Sequence, residues 1–171
     1  MVDLKSVIRE IPNFPKEGIL FYDITTLLKD AELFRRVIEK LAKLYEDEGI
    51  DKVVAIESRG FILGSALAYR LNAGFVPVRK RGKLPSDVYE TEYHLEYGSS
   101  ALAIHRDAIA TGERVLIVDD LLATGGTIAA TVDLVKQLDG VIIGVAFLIE
   151  LTALRGRHRL DGHQVISLIA Y

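Results

Sequence analysis

Short, almost wholly apolar segments recur along the chain, and helical segments separate them. They cover Lys52–Ile56, Arg114–Val118, Val141–Ile149 and Val165–Ile169. A strand with one solvated face alternates apolar and polar residues, whereas a strand of a parallel sheet is covered on both faces and is apolar throughout. The pattern therefore predicts an α/β fold in which a central, mainly parallel sheet is flanked by helices.

Helices are predicted between these strands. From Asp30 to Tyr45, apolar residues share one helical face, charged residues fill the other, and Gly49 is placed to end the helix. Gly60–Leu71 and Thr127–Leu138 are predicted as two further helices, which supply the layers that cover the sheet.

The segment from Arg79 to Ser100 has no helical period and interrupts the alternation. Before it, Phe75–Val78 is predicted as a short strand in which Pro77 indicates an irregular or edge position. A long connection in a compact domain is usually a functional lid or is disordered. A lid or hairpin insertion over residues 79–100 is therefore expected, with a solvated hairpin as the alternative.

Composition narrows the class of protein. The chain has 171 residues, enough for one core, and a single domain over 1–171 is expected. Its formal net charge of −3 gives no general attraction to nucleic acid or anionic membranes. Residues 141–149, the longest apolar stretch, fall short of the roughly 20 residues that span a bilayer. The absence of cysteine excludes disulfides and thiolate sites and fits a reducing compartment, so a cytoplasmic location is expected.

Two adjacent carboxylates before a glycine-containing turn form the strongest chemical signal. Asp119 and Asp120 follow a predicted buried strand, and in open α/β sheets ligands bind at strand carboxyl ends. Backbone N–H groups of glycine turns and helix N-termini bind phosphate, and carboxylates suit ribose hydroxyls or a magnesium-bound ligand. A ribose 5-phosphate site is therefore predicted, with a helix cap after a core strand as the alternative. The turn consists of Ala123, Thr124, Gly125, Gly126 and Thr127.

The string VLIVDDLLATGGT resembles the phosphoribosyl pyrophosphate (PRPP) signature of type I phosphoribosyltransferases. Six segments in collinear order resemble the adenine phosphoribosyltransferases: residues 14–26, 57–61, 75–83, 94–98, 115–127 and 148–152. The resemblance implies that adenine and PRPP react to give AMP and pyrophosphate. It also implies Mg²⁺ held mainly through PRPP, a lid over the active site and a homodimer.

The resemblance also implies roles for individual residues. Asp119 and Asp120 would hold the ribose hydroxyls, where negative charge favours an oxocarbenium-like sugar, and residues 123–127 would bind the 5-phosphate. The pyrophosphate candidates are Arg59, Arg79, Lys80 and Lys83. A surface salt bridge is the alternative for Arg59, and a dimer contact is the alternative for Arg79. The family's pyrophosphate loop often contains a cis peptide bond, which is expected at or near Glu57–Ser58.

The purine would be held by residues that are distant in the sequence. Phe21 would stack on the base, while Ile19, Leu20 and Leu151 line the slot. Tyr22 stands where the family commonly has arginine, and its backbone would read the purine edge. The alternative for Phe21 is an ordinary core residue, which is the default for a lone phenylalanine.

Glu96, on the lid, is the candidate acid or base for the purine. A carboxylate that closes over the base exchanges a proton with it, and the lid excludes water from the activated sugar. The alternative for Glu96 is a hairpin surface residue.

Two other functions share the same phosphate and ribose signature. One is a phosphoribosyltransferase for a different base. Residues 14–26 and the lid segment LEYG, residues 95–98, argue against this alternative because both resemble the adenine type. The other is a non-catalytic PRPP-sensing regulator, a class that usually adds a basic DNA-binding domain. The four histidines lack metal-ligand spacing, so no protein-held metal site is predicted.

Overall fold

The chain divides into two compact units, residues 1–40 and 41–171, in a computed structural model that describes residues 3–94 and 99–171. In the first unit, β1 (Arg9–Pro12) and β2 (Leu20–Asp23) pair antiparallel. The short helix α1 (Thr25–Leu28) follows, and α2 (Ala31–Lys43) includes residues of both units.

Helix α2 begins where the sequence predicts. The Asp30 carboxylate accepts hydrogen bonds from the backbone N–H groups of Glu32 and Leu33, both at 3.0 Å. This is the N-cap arrangement that satisfies helix donors without an internal partner. The helix ends at Lys43, and Gly49 follows with a φ of +59°, a left-handed conformation that glycine adopts easily.

Seven strands of the described residues form the sheet of the second unit, in the order β5-β6-β4-β3-β7-β8-β9. The pairs β4–β3, β3–β7, β7–β8 and β8–β9 are parallel, while β6 runs antiparallel to β4 and β5. The predicted α/β fold with a mainly parallel sheet is confirmed. The strands are β3 (Lys52–Ile56), β4 (Gly74–Lys80), β5 (Val88–His94), β6 (Ser99–His105), β7 (Arg114–Leu122), β8 (Val141–Glu150) and β9 (Val165–Ala170).

The two faces of the sheet are covered by different helices. Val54 and Ile56 of β3 belong to a buried cluster with residues of α4 (Gly126–Gln137). Ala55, between them, points to the other face and lies beneath Gly64 of α3 (Arg59–Arg70). Because both faces are covered, β3 is apolar and buried from Val53 to Ile56, which explains the pattern in the sequence.

The sheet contains a point at which the strand order reverses. The crossover through α3 leads from β3 to β4 on one side, and the crossover through α4 leads from β7 to β8 on the other. The carboxyl ends of the parallel neighbours β3 and β7 therefore lie beside each other at a topological switch point. Ligands of open α/β sheets bind at such points.

The segment predicted as a lid or hairpin, residues 79–100, contains β5 and the first two residues of β6, both of which are strands of the main sheet. β5 and β6 pair antiparallel from Val88 opposite His105 to His94 opposite Ser99. Tyr89 and Tyr93 are half-buried against the core, so the base of this hairpin is not a freely solvated loop. Pro77 lies inside β4, where β3 pairs on one side and β6 joins only at Arg79 and Lys80. Pro77 therefore has the local edge position predicted for it.

No helix within residues 3–94 and 99–171 combines the length and the hydropathy needed to cross a bilayer.

Gly64 permits the close packing of α3 on the sheet and provides a stability test. A Cβ atom at this position would lie 2.5 Å from Ala55 Cβ and 3.3 Å from Phe75 Cε2. We expect Gly64→Val to lower the free energy of unfolding by about 1–3 kcal/mol through overpacking, measured by urea denaturation. Ser65→Val, on the exposed face of the same helix, is the matched control. Equal stability of the two variants would contradict the packing described here.

Candidate active site

Polar groups meet at the switch point because β3 and β7 end there. Residues 57–60 follow β3, and Asp119 and Asp120 lie near the end of β7. The prediction that both aspartates follow the strand is wrong in detail. β7 continues to Leu122 because β8 is long enough to pair with it, with Leu122 opposite Glu150. The carboxylates therefore project from a rigid ladder.

A cavity of about 300 Å³ opens at this edge of the sheet. It brings together predicted site residues from four parts of the second unit: Arg59, Lys80, Asp119, Asp120 and the whole of residues 123–127. The other lining residues are Ile56, Glu57, Ser58, Tyr93, Leu102, Leu121, Leu122 and Ile128. Carboxylates, a guanidinium and a glycine turn thus surround one space.

The two aspartates differ in exposure and contacts. Asp119 is half-buried, and its Oδ1 accepts the backbone N–H of Asp120 at 2.9 Å. Asp120 is 5% exposed, although a carboxylate at a strand end is expected to be partly exposed. Its neighbours in the sheet and the Arg59 side chain cover it, since Arg59 Nε lies 2.9 Å from Asp120 Oδ2.

Burial alters the ionisation of this pair. Burial raises the pKa of Asp119 well above its usual range, and the neighbouring Asp120 carboxylate raises it further. Burial also raises the pKa of Asp120, although the Arg59 guanidinium acts in the opposite direction. Arg59 therefore balances part of the negative charge that the cavity concentrates.

Gly60, which our sequence analysis did not single out, allows α3 to start beside the aspartates. A Cβ atom on Gly60 would lie 2.6 Å from Asp119 Oδ1 and 3.3 Å from the Val118 carbonyl oxygen. Only glycine fits this approach without displacing the carboxylate. The signal that could have identified Gly60 is its position directly after Arg59, in the segment ESRGF (Glu57–Phe61).

The predicted phosphate loop has a left-handed residue at its centre. Gly125 has a φ of +82° and is the N-cap of α4. A Cβ on Gly125 would lie 2.5 Å from the Gly156 carbonyl oxygen, and a Cβ on Gly156 would lie 2.2 Å from the Ala123 carbonyl oxygen. The loop is therefore packed against a second backbone segment. Nothing in the local sequence around Gly156 predicts this contact, which joins positions 31 residues apart.

Glu57 connects the segment after β3 with the end of β4. Its Oε1 accepts the backbone N–H of Lys80 at 2.7 Å, and its Oε2 lies 3.2 Å from Arg79 Nη2. Burial acts to raise the pKa of Glu57, but these hydrogen bonds outweigh it and hold the pKa below its usual value. The peptide bond Glu57–Ser58 is cis, as predicted.

Two of the four predicted pyrophosphate residues do not line the described cavity. Arg79 donates to Glu57 and, through Nη1, to the Lys83 carbonyl oxygen at 3.1 Å. The Lys83 backbone N–H in turn donates to the Lys80 carbonyl oxygen, which closes a turn. Arg59 and Lys80 do line the cavity, so the four cations occupy different environments.

The predicted purine-binding residues belong to different units. Leu20 is exposed, and Phe21 and Tyr22 are half-buried, on β2 of the first unit. The Phe21 ring contacts Phe14 edge-on, with centroids 5.1 Å apart. Leu151 lies in the second unit directly after β8, where its N–H donates to the Leu122 carbonyl oxygen. Glu96 lies outside the described residues, so these purine assignments stay predictions.

In the described part of the chain, no group of three or more histidine and carboxylate side chains is arranged to hold a metal ion. Of the two cavity aspartates, Asp120 is paired with a side-chain cation, because Arg59 Nε lies 2.9 Å from Asp120 Oδ2.

Comparison with known proteins identifies the family. Residues 23–168 match the model of the phosphoribosyl transferase domain. The chain is 58% identical to the adenine phosphoribosyltransferase of Solibacter usitatus, over 100% of this chain and 99% of that protein. It is 60% identical to the adenine phosphoribosyltransferase of Acidobacterium capsulatum, over 98% of this chain and 93% of that protein.

Solved structures agree with these relatives. The adenine phosphoribosyltransferase of Thermoanaerobacter pseudethanolicus superposes with a TM-score of 0.95 at 56% identity, over 98% of both chains. That of Saccharomyces cerevisiae, complexed with an imino-altritol bisphosphate and adenine, superposes with a TM-score of 0.92 at 43% identity, over 96% of both chains. The chain therefore belongs to the phosphoribosyltransferase family and, within it, to the adenine phosphoribosyltransferases, the pentosyltransferases of purine salvage that convert adenine and PRPP into AMP and pyrophosphate.

Proposed function

We propose that phosphoribosyl transfer takes place in the cavity at the ends of β3 and β7. One observation carries the proposal: two carboxylates, a glycine turn at a helix N-terminus and an arginine line the same space. These groups match the diol, the 5-phosphate and the pyrophosphate of PRPP in chemical type. Their common location at the switch point is the usual position for a ligand in such a sheet.

Asp119 and Asp120 are assigned to the ribose hydroxyls, and residues 123–127 to the 5-phosphate. The backbone N–H groups at the start of α4 and the hydroxyls of Thr124 and Thr127 are the donors. Carboxylates beside the ribose also stabilise the positive charge that develops on the sugar as pyrophosphate leaves. The pairing of β7 with β8 through Leu122 supports this role, because it fixes the backbone that carries both aspartates.

Arg59 and Lys80 are assigned to the departing pyrophosphate. The Arg59 guanidinium supplies a fork of charged donors, and Asp120 holds it at the cavity wall. Its contact with Asp120 is exchanged, in part, for contacts with the substrate. Arg79 and Lys83 are kept as further pyrophosphate candidates because both lie on the cationic segment Arg79–Lys83, which contains the cavity residue Lys80.

Adenine is assigned to Leu20, Phe21, Tyr22 and Leu151. The aromatic ring of Phe21 offers a stacking face, and base–aromatic stacking contributes about 1–3 kcal/mol per base. Glu96 is assigned as the group that exchanges a proton with the purine.

Mg²⁺ is proposed to enter as part of the PRPP substrate. Asp119 and Asp120 would fit such a complex in chemical type, because Mg²⁺ prefers hard oxygen ligands such as carboxylates. The ion neutralises charge on the pyrophosphate when it is bound.

A homodimer and a cytoplasmic location complete the proposal. Ile62 and Tyr69 lie on one face of α3 and are 41% and 90% exposed, which supports an interface there. PRPP and AMP carry several negative charges and do not cross membranes unaided, which supports an enzyme on the cytoplasmic side.

The direct test is incubation with adenine, PRPP and Mg²⁺, followed by detection of AMP and pyrophosphate. Competition with hypoxanthine, guanine and xanthine distinguishes a transferase for another base. Filter binding to DNA tests the regulator alternative. We expect AMP formation, little competition and no DNA binding; faster turnover of another purine would overturn the adenine assignment.

Removal of the two carboxylate charges tests the ribose site. We expect Asp119→Asn and Asp120→Asn each to lower kcat by about 10²–10³-fold, because the developing charge on the sugar loses its stabilisation. Steady-state rates and circular dichroism check this, with Asp133→Asn on the exposed side of α4 as the matched control. Wild-type turnover in the folded variants would contradict the assignment.

Removal of the Arg59 guanidinium tests the pyrophosphate site. We expect Arg59→Ala to weaken PRPP and pyrophosphate binding by about tenfold or more and to leave adenine binding unchanged, because charge-assisted hydrogen bonds are lost only at the leaving group. Isothermal titration calorimetry measures all three affinities. Arg70→Ala, at the other end of α3, is the control. Equal weakening for adenine and pyrophosphate would argue against the role.

Glu96 is tested by removal of its ability to exchange a proton. We expect Glu96→Gln to slow AMP formation by about 10²–10⁴-fold in single turnover, with PRPP affinity little changed. Enzyme in excess is needed because product release limits turnover in many enzymes with a lid. Glu92→Gln, on β5, is the control. An unchanged single-turnover rate would remove Glu96 from the chemistry.

A further inference from the structure

An ion pair between a buried carboxylate, Glu150, and an exposed guanidinium, Arg157, lies close to the predicted phosphate loop and has no role in the mechanism above. Glu150, the last residue of β8, is 7% exposed. Arg157 Nε donates to Glu150 Oε1 at 3.0 Å, and Arg157 Nη2 donates to Glu150 Oε2. The second carboxylate oxygen also accepts the Ser167 hydroxyl at 2.7 Å. The pair is therefore bidentate and fully hydrogen-bonded on the carboxylate side.

Arg157 is also fixed to the neighbouring strand. Its Nη1 donates to the Val165 carbonyl oxygen at 2.7 Å, at the start of β9. The hydrogen bonds from Arg157 hold the pKa of Glu150 below its usual value, so the carboxylate is charged at neutral pH. A charged pair tied to two adjacent strands restrains the backbone around Arg157 more than a single exposed salt bridge does.

The residue that this pair restrains most directly is Gly156. Gly156 is buried and begins a short 3-10 helix that ends at Leu160, which is 2% exposed in the core. Arg157 fixes one side of Gly156 and Leu160 anchors the far end of the helix. The Gly156 backbone therefore has little freedom to move away from the sheet.

Gly156 is in turn the surface on which the phosphate loop rests. A hypothetical Cβ on Gly156 would lie 2.2 Å from the Ala123 carbonyl oxygen and 2.9 Å from the Gly125 nitrogen. The two backbones are thus in direct contact at Ala123 and Gly125. A shift of Gly156 would change the direction of the N–H groups between Ala123 and Gly126.

We infer that Glu150 and Arg157 are positioning residues that hold the phosphate loop in its binding conformation through the Gly156 backbone. This inference rests on the proposed assignment of residues 123–127 to the 5-phosphate. Neither residue lines the described cavity, so neither touches the substrate there. Their effect on the reaction is a matter of geometry, and small errors in the position of binding groups are costly.

The test compares two ligands that occupy different parts of the site. Ribose 5-phosphate needs the loop, whereas pyrophosphate needs Arg59 and Lys80. We expect Arg157→Met to raise the Kd for ribose 5-phosphate by about tenfold and to leave the Kd for pyrophosphate unchanged, because only the loop loses its support. Glu150→Gln should have the same direction of effect, and Arg157→Lys should restore part of the affinity. Arg159→Met, an exposed arginine of the same segment, is the matched control and should bind both ligands normally.

Two outcomes would overturn the inference. One is normal ribose 5-phosphate affinity in folded Arg157→Met and Glu150→Gln proteins. The other is an equal loss of affinity for both ligands, which indicates a general loss of structure. If Arg157→Met does not fold, Glu150→Gln, the milder change, provides the test.

The proposed phosphate site is checked separately with Thr124→Val and Thr127→Val. If these variants lose ribose 5-phosphate affinity and Arg157→Met does not, the phosphate assignment stands and the positioning role fails. If the threonine variants and Arg157→Met all bind ribose 5-phosphate normally, the phosphate assignment itself fails.

Discussion

The parallel pairing of β3 with β7 is the constraint on which the rest of the site depends. It joins Lys52–Ile56 to the first half of β7 in register, with Val54 opposite Ile117. The residues that follow β3 and the aspartates near the end of β7 therefore open into one space, although about 60 residues separate them in the sequence. Without this pairing, Arg59 and Asp120 could not form their 2.9 Å contact.

Three close backbone approaches give the cavity its shape. Gly60 lets α3 begin against Asp119, Gly64 lets the same helix lie on Ala55, and Gly125 lets the phosphate loop rest on Gly156. In each case a side chain would occupy space that another group already fills. Each approach therefore needs a residue without a side chain, although the facing atom belongs to a side chain at Gly60 and Gly64 and to the backbone at Gly125.

Charge is concentrated in the cavity and partly balanced there. Burial works against ionisation of Asp119 and Asp120, and Arg59 offsets this for Asp120. Glu57 shows the opposite balance, because the hydrogen bonds from Lys80 and Arg79 outweigh its burial. Buried groups with shifted pKa values are typical of functional sites, which supports the proposed assignment of this cavity to an anionic sugar phosphate.

The sequence by itself determined the α/β class, the central strands and the composition of the phosphate turn, because strand burial and glycine turns leave local patterns. It also pointed to Asp119, Asp120 and Arg59, which line one cavity, while their roles toward the substrate stay predictions. The tertiary structure alone decided that Asp120 is buried, that Arg79 bonds Glu57, and that Gly156 supports Gly125. These contacts join residues from 22 to 61 positions apart, and no local periodicity encodes which distant backbone will lie against a given side chain.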